Sequence, residues 1–488
     1  MAEESKSIAG TARILKNSVA MFAASLLAKG GGFIVTILVA RYLGPSSLGV
    51  YAVVLAVALL LQIMSPLGQQ EVIVRAIARD RSQMLAHWVN ASASTLLVSL
   101  LFAAAIVLYL QATTSRADAE LALYVVAASL PFAGLNFIAQ AALQGMERMQ
   151  YQTMATLLSR IAGLLLLWIL LHLGAGVWTA FLAHAVFHIV SLLVLGWHVL
   201  QCAGENQAQR IPRPDFARCR SMFFEAAPFA VQRFLTEGQQ RLSIMILPLL
   251  ITLEAVGQFN VASQITLTTS TIIPIMMLTL LPVFARSYSK DPEKSAVMAH
   301  KVLKILLVLI FPLAFIITVA ADRIILLLFG PGYEASVPAL QIVIWSQVFF
   351  AADSVMKQKM IASDNERAMV RYSTLGLIAN IALTIALGKV WGLLGVAVAA
   401  VSASAFLLTL NARFVQRHIA TIHLFQAVGK PFVGALLAGA VALALVNQGL
   451  MVMLPVTACS YVIFLLLIRT FSGEELLLFK QLFQRLRP

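Results

Sequence analysis

The sequence predicts an all-α polytopic membrane protein with fourteen transmembrane helices, arranged as two six-helix lobes related by a parallel pseudo-repeat and followed by two extra C-terminal helices. Three observations lead to this prediction. The composition is too apolar for a water-facing fold, fourteen apolar segments have helical length, and the Lys and Arg residues alternate between successive loops.

The composition indicates that lipid is the main solvent of this chain. Of its 488 residues, 60% are hydrophobic and only 11% are charged, whereas soluble proteins average about 25% charged residues. The net charge of +14 would suggest nucleic-acid binding in a soluble protein. No aromatic-interleaved basic patch occurs in a soluble-looking segment, so we expect no nucleic-acid partner.

Apolar segments long enough to cross a membrane recur along the whole chain, since one crossing needs about 20 apolar residues. We predict helices because an open sheet edge cannot lie in lipid and because the segments are much longer than barrel strands. The segments are 17–40, 47–70, 86–110, 120–143, 153–173, 176–200, 222–250, 255–284, 302–321, 336–356, 368–388, 391–412, 425–447 and 449–469.

The Lys and Arg residues predict the topology. If the N-terminus is inside and the loops alternate, 27 of the 35 Lys and Arg residues fall in inside loops or at the inner ends of predicted spans. Four fall outside, and another four lie deeper within predicted spans. Cytoplasmic loops carry an excess of Lys and Arg, so both termini are predicted to be cytoplasmic. Most basic residues are then interpreted as membrane anchors. The outside set is Arg41, Arg116, Arg323 and Lys389.

Short matches between the two halves of the chain predict an internal repeat. The segment LGVYAV at 48–53 resembles VGQFNV at 256–261, and MERM at 146–149 resembles NERA at 365–368. GVWTA at 176–180 resembles GVAVA at 395–399 at the same offset as the second match. Six spans separate the matched segments, so the halves have the same orientation, as in parallel-repeat transporters that open a central cavity to each side in turn.

The repeat predicts the domain organisation. The parts are an N-terminal lobe with helices 1–6 at 1–200, a cytoplasmic connector at 201–220, a second lobe with helices 7–12 at 221–415, and helices 13–14 with a tail at 416–488. Leu476, Phe479, Phe483 and Leu486 recur at helical spacing, which predicts an amphipathic helix on the inner surface. A frayed polar tail is the alternative. The polar N-terminus lacks a cleavable signal pattern.

The sequence lacks the common motifs of enzymes and metal sites. Its three cysteines form no CxxC pair, and no HExxH, Walker loop, GxGxxG or GxSxG is present. The predicted outer loops are short, whereas a membrane glycosyltransferase or polymerase usually needs a substantial one. We therefore expect neither an enzyme nor a metal or other cofactor, and no disulfide framework.

The first predicted hairpin, residues 40–79, reads ARYLGPSSLGVYAVVLAVALLLQIMSPLGQQEVIVRAIAR, with an LG-x-x-x-x-G-x-Y turn, a later Gly and an Arg-containing helix end. This pattern resembles the polysaccharide flippase family of the multidrug/oligosaccharidyl-lipid/polysaccharide exporter superfamily. LQGMERMQYQTMATLLSRI and GAGVWTAFLAHAV also resemble the fourth to sixth helices of such proteins. The matching hairpin positions are Leu43, Gly44, Gly49, Tyr51, Gly68 and Arg75.

The resemblance implies a V-shaped two-lobe fold with alternating access to an undecaprenyl-pyrophosphate-linked glycan and no ATP site. It also implies the bacterial cytoplasmic (inner) membrane and a substrate of the O-antigen, capsule or exopolysaccharide class. A flippase for the peptidoglycan precursor (lipid II), a multidrug exporter and a non-transporting scaffold of a glycan-assembly complex stay open as alternatives. Expected partners are membrane lipid, a glycan polymerase and chain-length machinery, around a monomeric transport unit.

Two basic residues within the first six predicted spans suggest an anion-binding cavity. Lys29 is followed by Gly30–Gly32, which permit close helix contact or a local break, and Arg160 lies about two turns into the fifth span. No acidic residue is predicted deep within these spans, which argues against organic cations as cargo. The alternative for Lys29 is snorkelling or local pairing.

The seventh predicted span has a charged stripe. Glu225, Arg233, Glu237 and Arg241 are spaced by eight, four and four residues and therefore share one helix face. Arg233 and Arg241 are candidate pyrophosphate ligands, because Arg binds phosphate in fork geometry. Glu237 is a candidate to hold them or to accept a proton. The alternative is a self-neutralising structural stripe.

Further polar residues within spans are candidates for ion coupling and sugar contacts. Asp353 is a candidate proton or sodium site, although Lys357 follows by four residues and an ordinary ion pair explains it equally well. The candidate sugar contacts form two sets at helical spacing, for which hydrogen bonding between helices and packing are the alternatives. They are Asn136, Gln140 and Gln144, and His184 and His188.

Overall fold

The computed structural model describes residues 2–112, 117–205, 212–271, 273, 277, 292–363, 365–419, 424–445 and 448–470. Within these ranges, the side chains at 2–29, 117, 205, 239–240, 292–295, 424–425 and 450 are outside the description. Helices account for nearly all of this part of the chain, and it contains no strand. The chain divides into two compact units, Met1–Asn260 and Val261–Pro488.

The first unit is built from seven complete helices and the start of an eighth. α4 packs against α6 and α3, α5 packs against α6 and α1, and α7 packs against α1 and α2. The helices are α1 (Ala2–Met64), α2 (Gln69–Arg79), α3 (Met84–Ala112), α4 (Ala117–Gly145), α5 (Gln150–His172), α6 (Trp178–Glu205), α7 (Phe216–Ile246) and α8 (Leu253–Thr269).

The second unit continues from α8 and packs around its longest helices. α9 packs against α13, α11 and α10, and α12 packs against α11 and α10. Its buried core includes Leu303, Leu306, Val355 and Met356. The helices are α9 (Pro292–Phe329), α10 (Ser336–Val343), α11 (Ser346–Ala362), α12 (Glu366–His418), α13 (Leu424–Ala444) and α14 (Leu450–Leu467).

Two of the long helices each contain two predicted spans joined by a tight turn at glycine. α1 has a non-helical break at Gly44 (φ 78°, ψ 180°), immediately before Pro45. α12 has a similar break at Gly392 (φ 57°, ψ −131°). These backbone conformations favour glycine, so the breaks fall at the boundaries that the sequence predicts between spans 1 and 2 and between spans 11 and 12.

Two predicted spans are interrupted within the described residues. A turn at residues 65–68, with Gly68 at φ 75°, separates the end of α1 from α2. A second interruption at 344–345 separates α10 from α11. The break in the second span matters for the site, because α2 reaches α7 with a charged side chain.

The all-α polytopic membrane fold is confirmed, and the predicted count of fourteen spans is consistent with the described helices. Each apolar segment falls on helix, although 17–40, 255–284 and 425–447 are described only in part. Among the described residues, nine helical segments are long and apolar enough to cross a membrane by length and composition. α7 is not among these nine segments. It contains the four charged residues of the predicted stripe, which lower its hydropathy. The predicted domain boundaries at 200/201, 220/221 and 415/416 stay predictions.

Candidate functional site

Arg160 lies in the first unit with no ion-pair partner among the described side chains. Its side chain passes over Gly31 of α1 so closely that a Cβ atom at Gly31 would lie 2.7 Å from Arg160 Cδ. The guanidinium carbon lies 4.1 Å from the ring centroid of Phe187 on α6, within cation–π distance. This arrangement is a fixed positive charge without a carboxylate counter-ion in the described part of the chain.

The glycines beside Lys29 provide close contact without breaking the helix. α1 continues through Gly30–Gly32, and Gly31 is the position that admits the Arg160 side chain. A Cβ atom at Gly30 or Gly32 would have no neighbour within 4 Å. Of the two expectations for these glycines, close contact is confirmed. The side chain of Lys29 itself lies outside the described residues, and its role stays a prediction.

His184 and His188 form a hydrogen-bonded pair that continues to Gln62. The Nε2 atoms of the two rings are 3.2 Å apart, and His184 Nε2 is 3.3 Å from Gln62 Oε1. Each imidazole can donate or accept at Nε2, and the two roles are set by the ring tautomers and by the orientation of the Gln62 amide.

Three nitrogen atoms around this pair are buried and have no hydrogen-bond partner among the described residues. They are Gln62 Nε2, His188 Nδ1 and Arg160 Nε. Gln62 Nε2 and Arg160 Nε carry protons and are therefore donors. Phe187 connects them, since its ring contacts both Arg160 and, at 5.0 Å between centroids, His188. Because buried donors are costly to leave unsatisfied, the cluster favours a ligand rich in oxygen acceptors. We name Gln62, Arg160, His184 and His188 the donor cluster.

α7 adds a second charged group to the first unit. Arg241 forms an ion pair with Glu237 one turn earlier, at 3.0 Å. Glu237 therefore neutralises Arg241, while Arg160 leaves this region with an excess positive charge.

Arg233 has a different partner from the one that the stripe on α7 suggests. Its Nε and Nη2 atoms donate to Glu71 Oε1 of α2 at 2.9 and 2.7 Å. The side chains are 35% and 31% exposed, yet Glu71 Oε2 is buried and has no hydrogen-bond partner among the described residues. The sequence analysis expected no acidic residue deep within the first six spans. Glu71 lies one residue beyond the predicted end of the second span, so that expectation did not cover it.

Asn136 contacts α6, as the interhelical alternative predicts. Its Oδ1 atom accepts a hydrogen bond from Ser191 at 2.9 Å, and both side chains are buried. The carbonyl oxygen of Gln140 accepts from Gln152 Nε2 on α5. Within the described part of the chain, the side chains of Gln140 and Gln144 make no hydrogen bond. Their assignment as sugar contacts stays a prediction.

Asp353 is buried in the second unit with two partners. Lys357 Nζ lies 2.9 Å from its Oδ2 atom, and Asn411 of α12 donates to its Oδ1 atom at 2.7 Å. The ion pair at i,i+4 is thus present. Asn411 Oδ1 is buried and has no hydrogen-bond partner within the described ranges. The group of Asp353, Lys357 and Asn411 therefore contains one acceptor atom that could bind a further donor. The assignment of Asp353 to ion coupling stays a prediction.

Sequence reasoning missed Gln62, Phe187 and Glu71. Gln62 is a polar side chain within a predicted span, and that signal was available in the sequence. In the sequence, nothing distinguishes Phe187 from the other apolar residues of α6. Its role becomes visible only from the contact of Arg160 with its ring. Among the described residues, no group of three or more His, Cys, Asp or Glu side chains could hold a metal ion.

Comparison with known proteins identifies the family. The family described as polysaccharide biosynthesis protein matches residues 14–288 of this chain, which is more than half of its length. The chain belongs to the polysaccharide biosynthesis protein family. This membership confirms the resemblance drawn from the first hairpin. A comparison with curated proteins found no match.

Solved structures show that this family member has the fold of the exporter superfamily. It is similar to "Lipid II flippase MurJ, inward closed conformation", with a TM-score of 0.70 and 16% identity over 93% of this chain and 99% of that chain. It is also similar to an inward-facing "multidrug resistance MATE family transporter of the MOP superfamily", with a TM-score of 0.64 and 15% identity over 82% of this chain and 98% of that chain.

A third similar structure is described as "Reverse polarity of binding pocket suggests different function of a MOP superfamily transporter from Pyrococcus furiosus Vc1 (DSM3638)". Its TM-score is 0.60, with 15% identity over 83% of this chain and 95% of that chain. The fold is thus shared with a flippase and with transporters, and this family member is a multi-pass membrane protein.

Proposed function

We propose that this protein is a flippase that moves an undecaprenyl-pyrophosphate-linked oligosaccharide across the bacterial cytoplasmic membrane by alternating access. The family membership supports a role in polysaccharide biosynthesis. The fold supports transport across a membrane rather than catalysis. The glycan belongs to the O-antigen, capsule or exopolysaccharide class, and both termini face the cytoplasm.

The unpaired charge of Arg160 is the observation that carries this proposal. Glu71, Glu237 and Asp353 each form an ion pair with a basic side chain. Arg160 has no such partner among the described residues, and the donor cluster holds three buried nitrogen atoms without a hydrogen-bond partner in the described part of the chain. Charges within membrane spans are costly and usually mark substrate paths. An anionic group with many oxygen acceptors, such as pyrophosphate, satisfies both the charge and the donors.

The other candidate residues extend this binding region. Arg241 adds a second cation on α7, and Lys29 adds a third on the first span. Arg233 becomes available to phosphate only when it separates from Glu71. Asp353 and Glu237 are the proposed ion-coupling residues. Amide and imidazole groups hydrogen-bond to hydroxyls, so the proposed sugar contacts are His184, His188, Asn136, Gln140 and Gln144.

The same proposal includes the path of the prenyl chain, the protein partners and the oligomeric state. The prenyl chain of the substrate stays in membrane lipid, while the glycan and pyrophosphate pass through the protein. A glycan polymerase and chain-length machinery are the proposed protein partners, and one chain forms the transport unit. No cofactor is proposed.

A peptidoglycan-precursor flippase is the second candidate. The similarity in fold to a structure described as a lipid II flippase favours it, and that precursor carries the same pyrophosphate group. A multidrug exporter of organic cations is disfavoured, because such cargo needs unpaired carboxylates, and the unpaired charge in the described part of the site is Arg160. A non-transporting scaffold has no need of an unpaired cation within its helices.

Binding measurements on purified protein in nanodiscs test the proposal. Undecaprenyl-pyrophosphate-linked oligosaccharide should bind, and Arg160→Ala should weaken binding by about tenfold to a hundredfold, since a hydrogen bond to a charged group contributes about 1.5–3 kcal/mol. Arg417→Ala is the matched control, because Arg417 is exposed at the end of α12. Tighter binding of lipid II than of the oligosaccharide favours the second candidate. Equal binding by Arg160→Ala contradicts the proposal.

A further inference from the structure

Two glycines in the first unit permit an unusually close contact between helix ends. Gly49 lies about one turn after Pro45, where α1 resumes beyond its break, and Gly257 lies about one turn after the start of α8. A Cβ atom at Gly49 would lie 1.8 Å from the carbonyl oxygen of Leu253. A Cβ atom at Gly257 would lie 2.1 Å from the carbonyl oxygen of Pro45. Backbone therefore touches backbone with no side chain between.

The contact is reciprocal and follows the sequence repeat. Gly49 meets the residue that begins α8, and Gly257 meets the residue that begins the helix after Gly44. Pro45 and Leu253 are separated by the same offset as Gly49 and Gly257, which is also the offset between LGVYAV and VGQFNV. Equivalent turns of the two sequence halves thus contact each other through the same surface.

The chemistry of this contact suits one that forms and breaks repeatedly. Carbonyl oxygens against glycine Cα atoms make only weak C–H···O interactions, each contributing about 0.5–1 kcal/mol. The close approach requires that neither glycine has a Cβ atom, so a single added methyl group prevents it.

The position of the contact indicates which opening it closes. Residues 41–46 and 251–254 are predicted to lie at the outer side, between spans 1 and 2 and between spans 7 and 8. A transporter of two parallel repeats opens by separating its halves at one side at a time.

We propose that Gly49 and Gly257 form a steric gate at the outer side, which closes only because neither residue has a side chain. This gate rests on transport by alternating access, which is part of the proposed function, but it does not depend on the cargo.

Distance measurements between spin labels test the gate without any substrate. The labels are attached to Ser46→Cys and Glu254→Cys in a cysteine-free protein in nanodiscs, because both positions are exposed and equivalent in the repeat. The parent should show a short-distance population. Gly49→Ala and Gly257→Ala should lose it, because an ordinary contact begins near 3.4 Å.

Gly196→Ala is the matched control for the glycine variants. It also replaces a helical glycine, and a Cβ atom there has no neighbour within 4 Å, so the short-distance population should remain. Thermal unfolding of every variant confirms that it is folded. A short-distance population that persists in folded Gly49→Ala, or that is lost equally in Gly196→Ala, overturns the proposal.

A second measurement uses the native glycines, in case their variants do not fold. A short, reducible bifunctional maleimide joins the two introduced thiols of the Ser46→Cys and Glu254→Cys double variant in cells. Cross-linking should stop glycan export, and reduction should restore it. Export that continues in fully cross-linked protein refutes the gate. Absence of glycan export by the unsubstituted protein instead refutes the cargo, and the distance measurement then decides the gate.

Discussion

Arg233 and Glu71 join α7 to the short helix α2 through two hydrogen bonds to one carboxylate oxygen. Glu71 lies in the first turn of a helix that exists because the second span breaks at residues 65–68. Gly68 permits this approach, since a Cβ atom there would lie 2.5 Å from the backbone nitrogen of Ala230. Arg75 adds a cation–π contact over the Phe229 ring at 4.9 Å. The ion pair is therefore part of a larger contact between α2 and α7.

Removal of Arg233 should destabilise the protein through the carboxylate that it leaves behind. Arg233→Ala removes the ion-pair partner of Glu71. The Oε2 atom of Glu71 is already buried without a hydrogen-bond partner among the described residues. We expect a loss of about 1–2 kcal/mol in unfolding free energy, less than for a fully buried pair because both side chains are partly exposed. Adding Glu71→Gln should recover part of this loss. Denaturant unfolding in mixed micelles measures the cycle.

The control for this cycle is the exposed pair of Arg81 and Glu147, whose side chains are about half exposed and 2.9 Å apart. Arg81→Ala should change the unfolding free energy by less than about 1 kcal/mol. If Glu71→Gln lowers stability further in the Arg233→Ala background, the stranded-charge explanation is wrong.

Substitution of Gly31 should weaken anion binding without changing any charge. Gly31→Ala places a methyl group against Arg160 Cδ and displaces the guanidinium from Phe187. Loss of a cation–π contact corresponds to about 0.5–2 kcal/mol, or about twofold to thirtyfold in affinity. Gly30→Ala and Gly32→Ala are matched controls with open space around the added methyl. Titration with a prenyl pyrophosphate in nanodiscs measures the difference, and equal affinities of all three variants count against the proposed position of Arg160.

Removal of the Asp353 carboxylate should be more harmful than removal of both charges of its ion pair. Asp353→Ala leaves Lys357 without its partner and Asn411 Nδ2 without an acceptor. We expect a loss of about 1–3 kcal/mol in unfolding free energy. The Asp353→Asn and Lys357→Gln double variant keeps hydrogen-bonding capacity and should be more stable than Asp353→Ala. Unfolding midpoints compare the variants, and the reverse order would disprove this account.

The topology predicts where reporters are exposed. A reporter fused after Arg487 and another in the connector at 201–220 should both report the cytoplasm. A reporter after Arg323 should report the outer side, because the predicted loop between spans 9 and 10 lies there. Paired alkaline phosphatase and fluorescent protein fusions measure this. A periplasmic signal from either of the first two positions breaks the predicted alternation of loops.

The candidate site shows where sequence reasoning reaches its limit. Arg160 was predictable because a charge within an apolar span is conspicuous by composition alone. Its neighbours were not, since Gln62, Phe187 and Gly31 come from two other helices whose rotation about their axes is set by packing. The stripe on α7 was predictable as a shared helix face. The sequence could not reveal that Arg233 forms an ion pair with Glu71 of α2, whereas Arg241 pairs with Glu237 on its own helix.

The sequence by itself determined the membrane fold and the fourteen apolar segments, because lipid imposes length and polarity on every span and these are local properties of the chain. The motif of the first hairpin is also local, and it indicated the family. Only the tertiary structure decided which of the described charges at the candidate site are neutralised and which is not, and where two helix ends touch through Gly49 and Gly257. Those outcomes depend on distances between residues far apart in sequence. Such distances follow from how the helices pack, which no single span encodes.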